Sequence, residues 1–259
     1  EVQAAVPAAF HPLPEDFEAD RRGFAEWLIS RDNPLTARVT VNRIWAQLFG
    51  RGLVVSEENL GSQGDMPTHR LLLNWLAAEY MESGWDQKAL LRTLVTSATY
   101  RQASALDERA RDLDPGNRFL ARGPSFRLEA EMIRDQALKV SGLLSPKMHG
   151  PSVHPPQPPG LWKAAFNGQR TWPSSQGEDR HRRGLYTFLR RSMPYPAMQI
   201  FDAPSREMCT SRRLRTNTPL QAFVTLNDPA FVETAQALGR RMHAEGGGDA
   251  RAGVRRGLW

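Results

Sequence analysis

The sequence predicts a mainly α fold: an irregular multi-helix domain with a small β element and a long Pro-rich excursion. Three observations carry this expectation. Apolar residues recur at helical spacing in several segments, Gly and Pro punctuate those segments where helices start and stop, and only one stretch alternates in the manner of a strand. At 259 residues and 40% hydrophobic content, the chain can bury a substantial core.

Residues 1–18 hold Pro7, Pro12 and Pro14 among alanines and acids, without periodicity, and read as a linker. One domain is expected over 19–245, with an irregular Pro-rich insertion over 146–182, and 246–259 opens a further segment. A short helix, Asp20 to Ile29, is expected to place Phe24, Trp27 and Leu28 on one side. Asn33 then supplies an N-cap and Pro34 a first helical position. The helix that follows turns Val41, Ile44, Trp45, Leu48 and Phe49 inward and ends on Gly50, suited to a left-handed C-cap.

Gly52 to Gly64 is a turn-rich connection. Leu71, Leu72, Trp75, Leu76 and Tyr80 mark a third helix ended by Gly84, and Asp86 caps a fourth with Leu90, Leu91, Leu94 and Val95 inward. Asp107 to Pro124 is charged and broken by Pro115, Gly116 and Gly123, so a loop with at most one short helical turn is expected. A fifth helix runs from Phe126 to Ser141 and closes on Gly142. Pro146 to Pro173, with Pro155-Pro156 and Pro158-Pro159, reads as a non-helical, extended excursion over the surface. Leu185 to Arg191 is the strand candidate, with a partner near Ser152 and Val153. Thr218-Pro219 and Asn227-Asp228-Pro229 start the last two helices, the second running to about His243.

No apolar run approaches the roughly 20 residues that a membrane helix needs, so no span is expected. Cys209 is the single cysteine, which excludes an internal disulfide, a Cys-rich zinc site and a Cys-x-x-Cys-His haem attachment, and no cofactor is expected within this chain. The histidines, His149 and His154 included, show no metal-ligand spacing, and no metal is expected. Gly50, Gly52, Gly61 and Gly64 lack the strand and spacing of a phosphate loop.

A net charge of +6 and a pI near 10.0 raise polyanion binding. Yet only Lys88, Lys139, Lys147 and Lys163 among the 34 basic residues are lysines. Arginine is planar, multidentate and weakly hydrated, which suits buried ion pairs, so nucleic acid is disfavoured as a partner. The chain lacks an initiator Met and a signal pattern, and Val254 to Trp259 read as the opening of another amphipathic segment. It is expected to be a piece of a larger protein, whose localisation these residues do not give.

Several strings fix polar residues among apolar ones more tightly than amphipathic helices require. They are Asn33-Pro34-Leu35, Val41-Asn42-Arg43-Ile44-Trp45, Phe49-Gly50-Arg51-Gly52-Leu53-Val54, Gly61-Ser62-Gln63-Gly64, Tyr100-Arg101-Gln102, Arg127-Leu128-Glu129-Ala130-Glu131 and Ile133-Arg134-Asp135. Further along come Phe201-Asp202-Ala203-Pro204, the run Arg215 to Ala222, and Leu226-Asn227-Asp228-Pro229. In this order, from Asp20 to His243, they resemble the PSD-one family, a planctomycete-type domain of unknown function. The resemblance implies large exported proteins, periplasmic or at the cell surface, in which this domain follows a companion domain, often with a cytochrome c-like haem domain upstream. Companion domains of the same polypeptide are the partners it implies. Haem would lie in an upstream domain, and no catalytic residue carries over.

The densest polar constellation is Asp202, Arg206, Glu207, Cys209, Arg212, Arg213 and Arg215, followed by Asn217 and Asn227-Asp228. Acids among arginines in an irregular stretch would either line a ligand cleft or form an ion-pair network that pins the chain onto helices. On the fifth helix Glu131 and Asp135 share a face and Glu129 lies on another, with Arg127 and Arg134 placed to pair with them. They read as helix ion pairs, or as acid and base if opposed across a cleft.

Asn42 is expected to cap the Gly61-to-Gly64 turn, and Cys209 to be a small buried thiol. Trp162, Phe166 and Trp172 resemble a sugar-stacking surface, or plug the domain's own core. The leading expectation is a helical module of a larger exported protein that contributes ligand binding, with carbohydrate as the ligand, or domain assembly. Its rivals are an enzyme, whether a carboxylate-based hydrolase of polysaccharide or a haem-coupled oxidation, and a polyanion binder.

Overall fold

Several helix starts in this chain are set by side chains that accept main-chain N–H groups. In the computed structural model, which describes residues 4–105, 108–165 and 168–257, the Asp20 carboxylate accepts from Gly23 N at 2.8 Å and opens α1 (Arg21–Ile29). Asn33 Oδ1 accepts from Leu35 N and Thr36 N at 3.0 and 3.1 Å. Regular helix then begins, as α2 (Thr36–Phe49). α2 ends on Gly50 at φ +79°. A Cβ there would also lie 2.5 Å from the Phe126 ring, so glycine is required twice over.

Asp86 caps α4 (Gln87–Thr96) through Lys88 N and Ala89 N, after α3 (Arg70–Glu82) has ended at Gly84. α5 (Glu108–Leu113) is the one short helix of the 107–124 connection. The chain folds as two compact units, Glu1–Phe126 and Arg127–Trp259.

In the first unit α2 packs on α1, α3 and α4 around Val41, Trp45, Leu53, Leu73, Leu76, Tyr80, Leu90 and Leu94. Several positions expected inside lie at the surface. Leu71 is 83% and Trp75 53% exposed, because Leu73, Leu76, Ala77 and Tyr80 are the residues of α3 that turn inward. Phe24, Leu91 and Val95 are also exposed. The expected linker packs too: His11 stacks on Trp27 at 5.0 Å, and its carbonyl accepts from Trp27 Nε1 at 2.8 Å.

Asn42, 1% exposed, does not reach the Gly61-to-Gly64 turn. Its Oδ1 accepts from Val54 N and its Nδ2 donates to Val54 O, both at 2.9 Å, which closes the buried connection after α2 as a strand partner would. Gly52 lies under this pair: a Cβ there would meet Asn42 Nδ2 at 2.7 Å and Val54 O at 2.5 Å.

The second unit is built on α6 (Ala130–Ser141) and α10 (Pro229–Glu245). α7 (Leu161–Ala165), α8 (Pro196–Ile200), α9 (Pro219–Asn227) and α11 (Ala250–Gly257) complete it, with α9 and α11 against α10 and α8 against α6. α6 starts four residues later than expected, because Arg127 to Glu129 are extended and held by other partners described below. The 146–173 span is not a surface excursion. Val153, Pro155, Pro156 and Trp162 are buried, and α7 lies within it, between its prolines.

The expected strand reduces to one parallel bridge, Val153 with Thr187. Val153 N donates to Tyr186 O at 2.7 Å and Phe188 N to Val153 O at 2.8 Å. A 3-10 turn over Gly184–Tyr186 prevents the strand from extending backward. Among the described residues no helix is long and apolar enough to cross a membrane.

The Asn42 bridge yields a stability prediction. Asn42→Ala leaves a buried N–H and a buried C=O without partners, at about 1–3 kcal/mol each. Urea unfolding should show a loss of about 2–6 kcal/mol; a loss below about 1 kcal/mol would mean that water replaces the amide.

Candidate functional site

The polar centre expected from the sequence lies in the second unit, and its parts separate into three places. Asp202 has a positive φ of 61°, a conformation that Asp tolerates better than most residues. Its carboxylate accepts from Thr216 N at 2.8 Å, from Thr216 Oγ1 at 2.9 Å and from the Arg127 guanidinium. Burial tends to raise the Asp202 pKa, but the Thr216 hydrogen bonds and Arg127 overcome it and hold the carboxyl below its ordinary value. Arg127 also donates to Thr216 O and Leu128 O at 2.8 Å and to Phe201 O at 3.3 Å, which keeps it off the helix.

Beside this lies the second group. Arg213 donates to Glu131 at 2.6 and 3.2 Å and pairs with Glu129 at 3.1 Å, while Arg215 reaches Glu129 at 3.7 Å. Burial pushes the Glu131 carboxyl up, and the hydrogen bond from Arg213, a main-chain hydrogen bond and the charges of Arg213 and Arg206 together more than offset it, so the group sits low. One guanidinium thus holds both Glu129 and Glu131, which is not the opposed acid and base of glycoside cleavage.

Asp135 points elsewhere, accepting from Gly184 N at 2.6 Å and pairing with Arg183 at 3.0 Å. Arg134, expected to pair with the acids of its helix, instead donates to the carbonyls of Arg180 and Arg182, and burial depresses its pKa. Arg206, Glu207 and Arg212 are exposed, and so is Cys209, contrary to the buried thiol expected. Glu131 and Arg206 line a cavity of about 110 Å³, small beside the roughly 300–1,000 Å³ of ordinary ligand pockets. Asp202, Glu129 and Glu131 with their arginines therefore pin the 202–218 stretch onto the start of α6.

Of the aromatic trio, Trp162 is 6% exposed. Trp172 stacks on Tyr195 at 5.8 Å, meets Trp162 at 5.3 Å and the edge of His154 at 4.7 Å, and donates from Nε1 to Pro155 O at 2.6 Å. These two side chains plug the second unit; Phe166 lies outside the described residues. Burial lowers the His154 pKa, in keeping with its stacking on Phe188.

Sequence reasoning passed over the 180–183 run, which looks like a solvated charge run. Arg182 is 0% exposed, donates to the carbonyls of Pro151 and His149 and lies 3.6 Å over the Tyr186 ring. Arg180 and His181 both meet Glu233. The hydroxyl of buried Tyr195 donates to Pro156 O at 2.6 Å.

A larger concavity lies in the first unit, where no site was expected. It measures about 380 Å³ and lies between the end of α2 and the 115–126 connection. Trp45, Phe49 and Phe126 give it an aromatic side, Thr68, Ser104 and Asn117 supply polar groups, and Arg51, Arg118 and Arg122 line it without an Asp or Glu. Its walls approach closely because they are glycine-rich. A Cβ on Gly116 would lie 3.2 Å from Arg51 Nη1, and one on Gly123 would lie 2.3 Å from Gln102 O. The signal for it was present in Phe49-Gly50-Arg51-Gly52, a string with more glycine than a helix end needs.

The fold and these features define a mainly helical protein of two units, one with a basic cleft and one laced by arginine contacts. The chain belongs to the PSD1 family (DUF1553), proteins of unknown function, whose model matches residues 20–257 and so spans both units. No curated protein and no solved structure matches it.

The ion-pair centre predicts an acid limb in the stability profile. Glu131, Asp202 and Glu233 are all held below their ordinary values. Their contribution is present above the unfolded-chain pKa, near 4.5 for glutamate, and is lost as pH falls through the folded values. Arg213→Ala should cost about 1–3 kcal/mol at neutral pH and make the decline below about pH 4.5 shallower, because Glu131 then titrates nearer its unfolded value. Chemical denaturation across that range reads both, and an unchanged acid limb would exclude Arg213 as its cause.

Proposed function

We propose that this chain is a ligand-binding module of a larger protein and that its ligand occupies the cleft of the first unit. The observation that carries this reading is the cleft itself. Its volume falls in the range of small-molecule sites, and its lining mixes aromatic rings with hydroxyl, amide and guanidinium groups, the mixture with which proteins grip a sugar ring. The carbohydrate expectation thereby moves from Trp162 and Trp172 to Phe49 and Phe126. For the exported and cytochrome-linked setting the support is the family resemblance alone.

Ser104 lines the cleft and is exposed, so Ser104→Trp should fill it without disturbing the core. Calorimetric titration of the whole chain against an oligosaccharide panel should find a ligand whose binding Ser104→Trp abolishes, with the melting temperature of the free protein unchanged. Binding that survives the filled cleft would place the ligand elsewhere.

One observation favours a second reading, assembly with a neighbouring domain of the same polypeptide. Leu220, Phe223 and Leu226 stand 53, 63 and 75% exposed on α9, a contiguous apolar stripe of the kind that marks interaction surfaces. The isolated chain should bind a hydrophobic dye at neutral pH, and Phe223→Lys with Leu226→Lys should remove most of that signal. An undyed wild-type chain would count against this reading.

A further inference from the structure

The cleft carries a charge pattern that selects among ligands, and the following rests on that cleft being the binding site. We propose that it recognises an oxyanion-bearing sugar, one whose ring carries a carboxylate or a sulfate ester. Arg51, Arg118 and Arg122 share its lining with no acidic side chain. Arg51 and Arg118 form no salt bridge among the described residues.

Elsewhere the arginines that gather acids are neutralised by them. Here Asp114, just outside the lining, offsets only part of the charge: its two oxygens accept from Arg118 N and Phe119 N at 2.8 Å, while its field acts on Arg122 and Arg118. Like charges held on one concave surface repel, and an oxyanion relieves that repulsion while it forms charge-assisted hydrogen bonds.

The three guanidinia are not equally engaged by the fold, and this fits a division of labour. Arg122 is fixed, with Nη1 donating to Asp114 O at 3.1 Å and Nη2 to Pro115 O at 2.7 Å. A guanidinium has five N–H donors, so Arg122 keeps others for a ligand in a preset orientation. Arg51 is exposed and its side chain has no hydrogen bond among the described residues; its Nη1 lies beside the Gly116 turn, 3.2 Å from where a Cβ would stand. It is placed to close on an anion that Arg122 has positioned. The planar fork of arginine matches a carboxylate two-to-two and also meets the oxygens of a tetrahedral sulfate.

The test is calorimetric titration of the full chain with oligogalacturonate, its methyl ester, a sulfated galactan oligosaccharide and the same oligosaccharide desulfated. Binding of either charged probe should exceed that of its neutral counterpart by at least about tenfold. Arg51→Gln should weaken it by about tenfold. Arg240→Gln, which removes one exposed charge from the second unit, should leave it unchanged. A preference for the first pair identifies carboxylate, and for the second sulfate.

Equal binding of charged and neutral partners, still abolished by Ser104→Trp, would overturn the anion assignment and leave the cleft reading standing. Charged-probe binding that Arg240→Gln weakens as much as Arg51→Gln would overturn it as general attraction to a basic protein. No binding of any probe would overturn both.

Discussion

The interaction on which most of this structure depends is an arginine guanidinium donating to main-chain carbonyls. The fold has long irregular segments and, among the described residues, a single β-bridge, so the carbonyls of those segments have no sheet to enter. Arg182 gathers Pro151 and His149, Arg134 gathers Arg180 and Arg182, Arg127 gathers Leu128, Phe201 and Thr216, and Arg122 gathers Asp114 and Pro115. Lysine would serve poorly here. A single ammonium cannot span two or three carbonyls of a bent chain from a fixed plane, and its stronger hydration raises the cost of burying it. The scarcity of lysine and the absence of a sheet are thus two sides of one solution.

That solution also accounts for the charge. A chain with a pI near 10.0 looks like a polyanion binder, yet several of its arginines are taken up inside the fold. Arg134 and Arg182 are buried, and Arg127, Arg213 and Arg215 are committed to carbonyls or to Asp202, Glu129 and Glu131. A buried guanidinium surrounded by carbonyls adds little to the field outside. The question of which arginines lack an ion-pair partner among the described residues separates Arg51 and Arg118 from Arg127, Arg213 and Arg215.

Helix ends were legible in the sequence because each is a local event. Asp20, Asn33, Gly50, Asp86, Gly142 and Asp228 act within a few residues of themselves, where side-chain chemistry decides the outcome. The pairing of Val153 near the 185–191 stretch was legible in the same way, through alternation. Buried faces were less so. Leu71 and Trp75 satisfy helical spacing as well as Leu73 and Leu76 do, and only the position of α2 beside α3 selects between them. The Pro-rich span was misread because proline excludes regular hydrogen bonding, not burial: Pro155 and Pro156 go inside, with their carbonyls taken by Trp172 and Tyr195. Partners at long range, such as Arg213 with Glu131 or Arg134 with the 180–182 carbonyls, leave no mark on spacing at all.

The cleft shows how far a string can be explained by folding before function is needed. In Phe49-Gly50-Arg51-Gly52-Leu53-Val54, Phe49 stacks on Trp45 at 4.0 Å and Gly50 takes the left-handed turn against Phe126. Gly52 makes room for Asn42, the Leu53 carbonyl accepts from Thr68 N at 2.9 Å, and Val54 gives both its main-chain groups to Asn42. Five of the six positions are thus determined by contacts within the first unit. Arg51 is the remainder: exposed, without an ion pair among the described residues, laid against a glycine and lining a concavity whose other cations are Arg118 and Arg122. Folding alone would accept almost any long polar side chain there. Arg51 is thus the one position of the string whose side chain the contacts within the first unit leave undetermined.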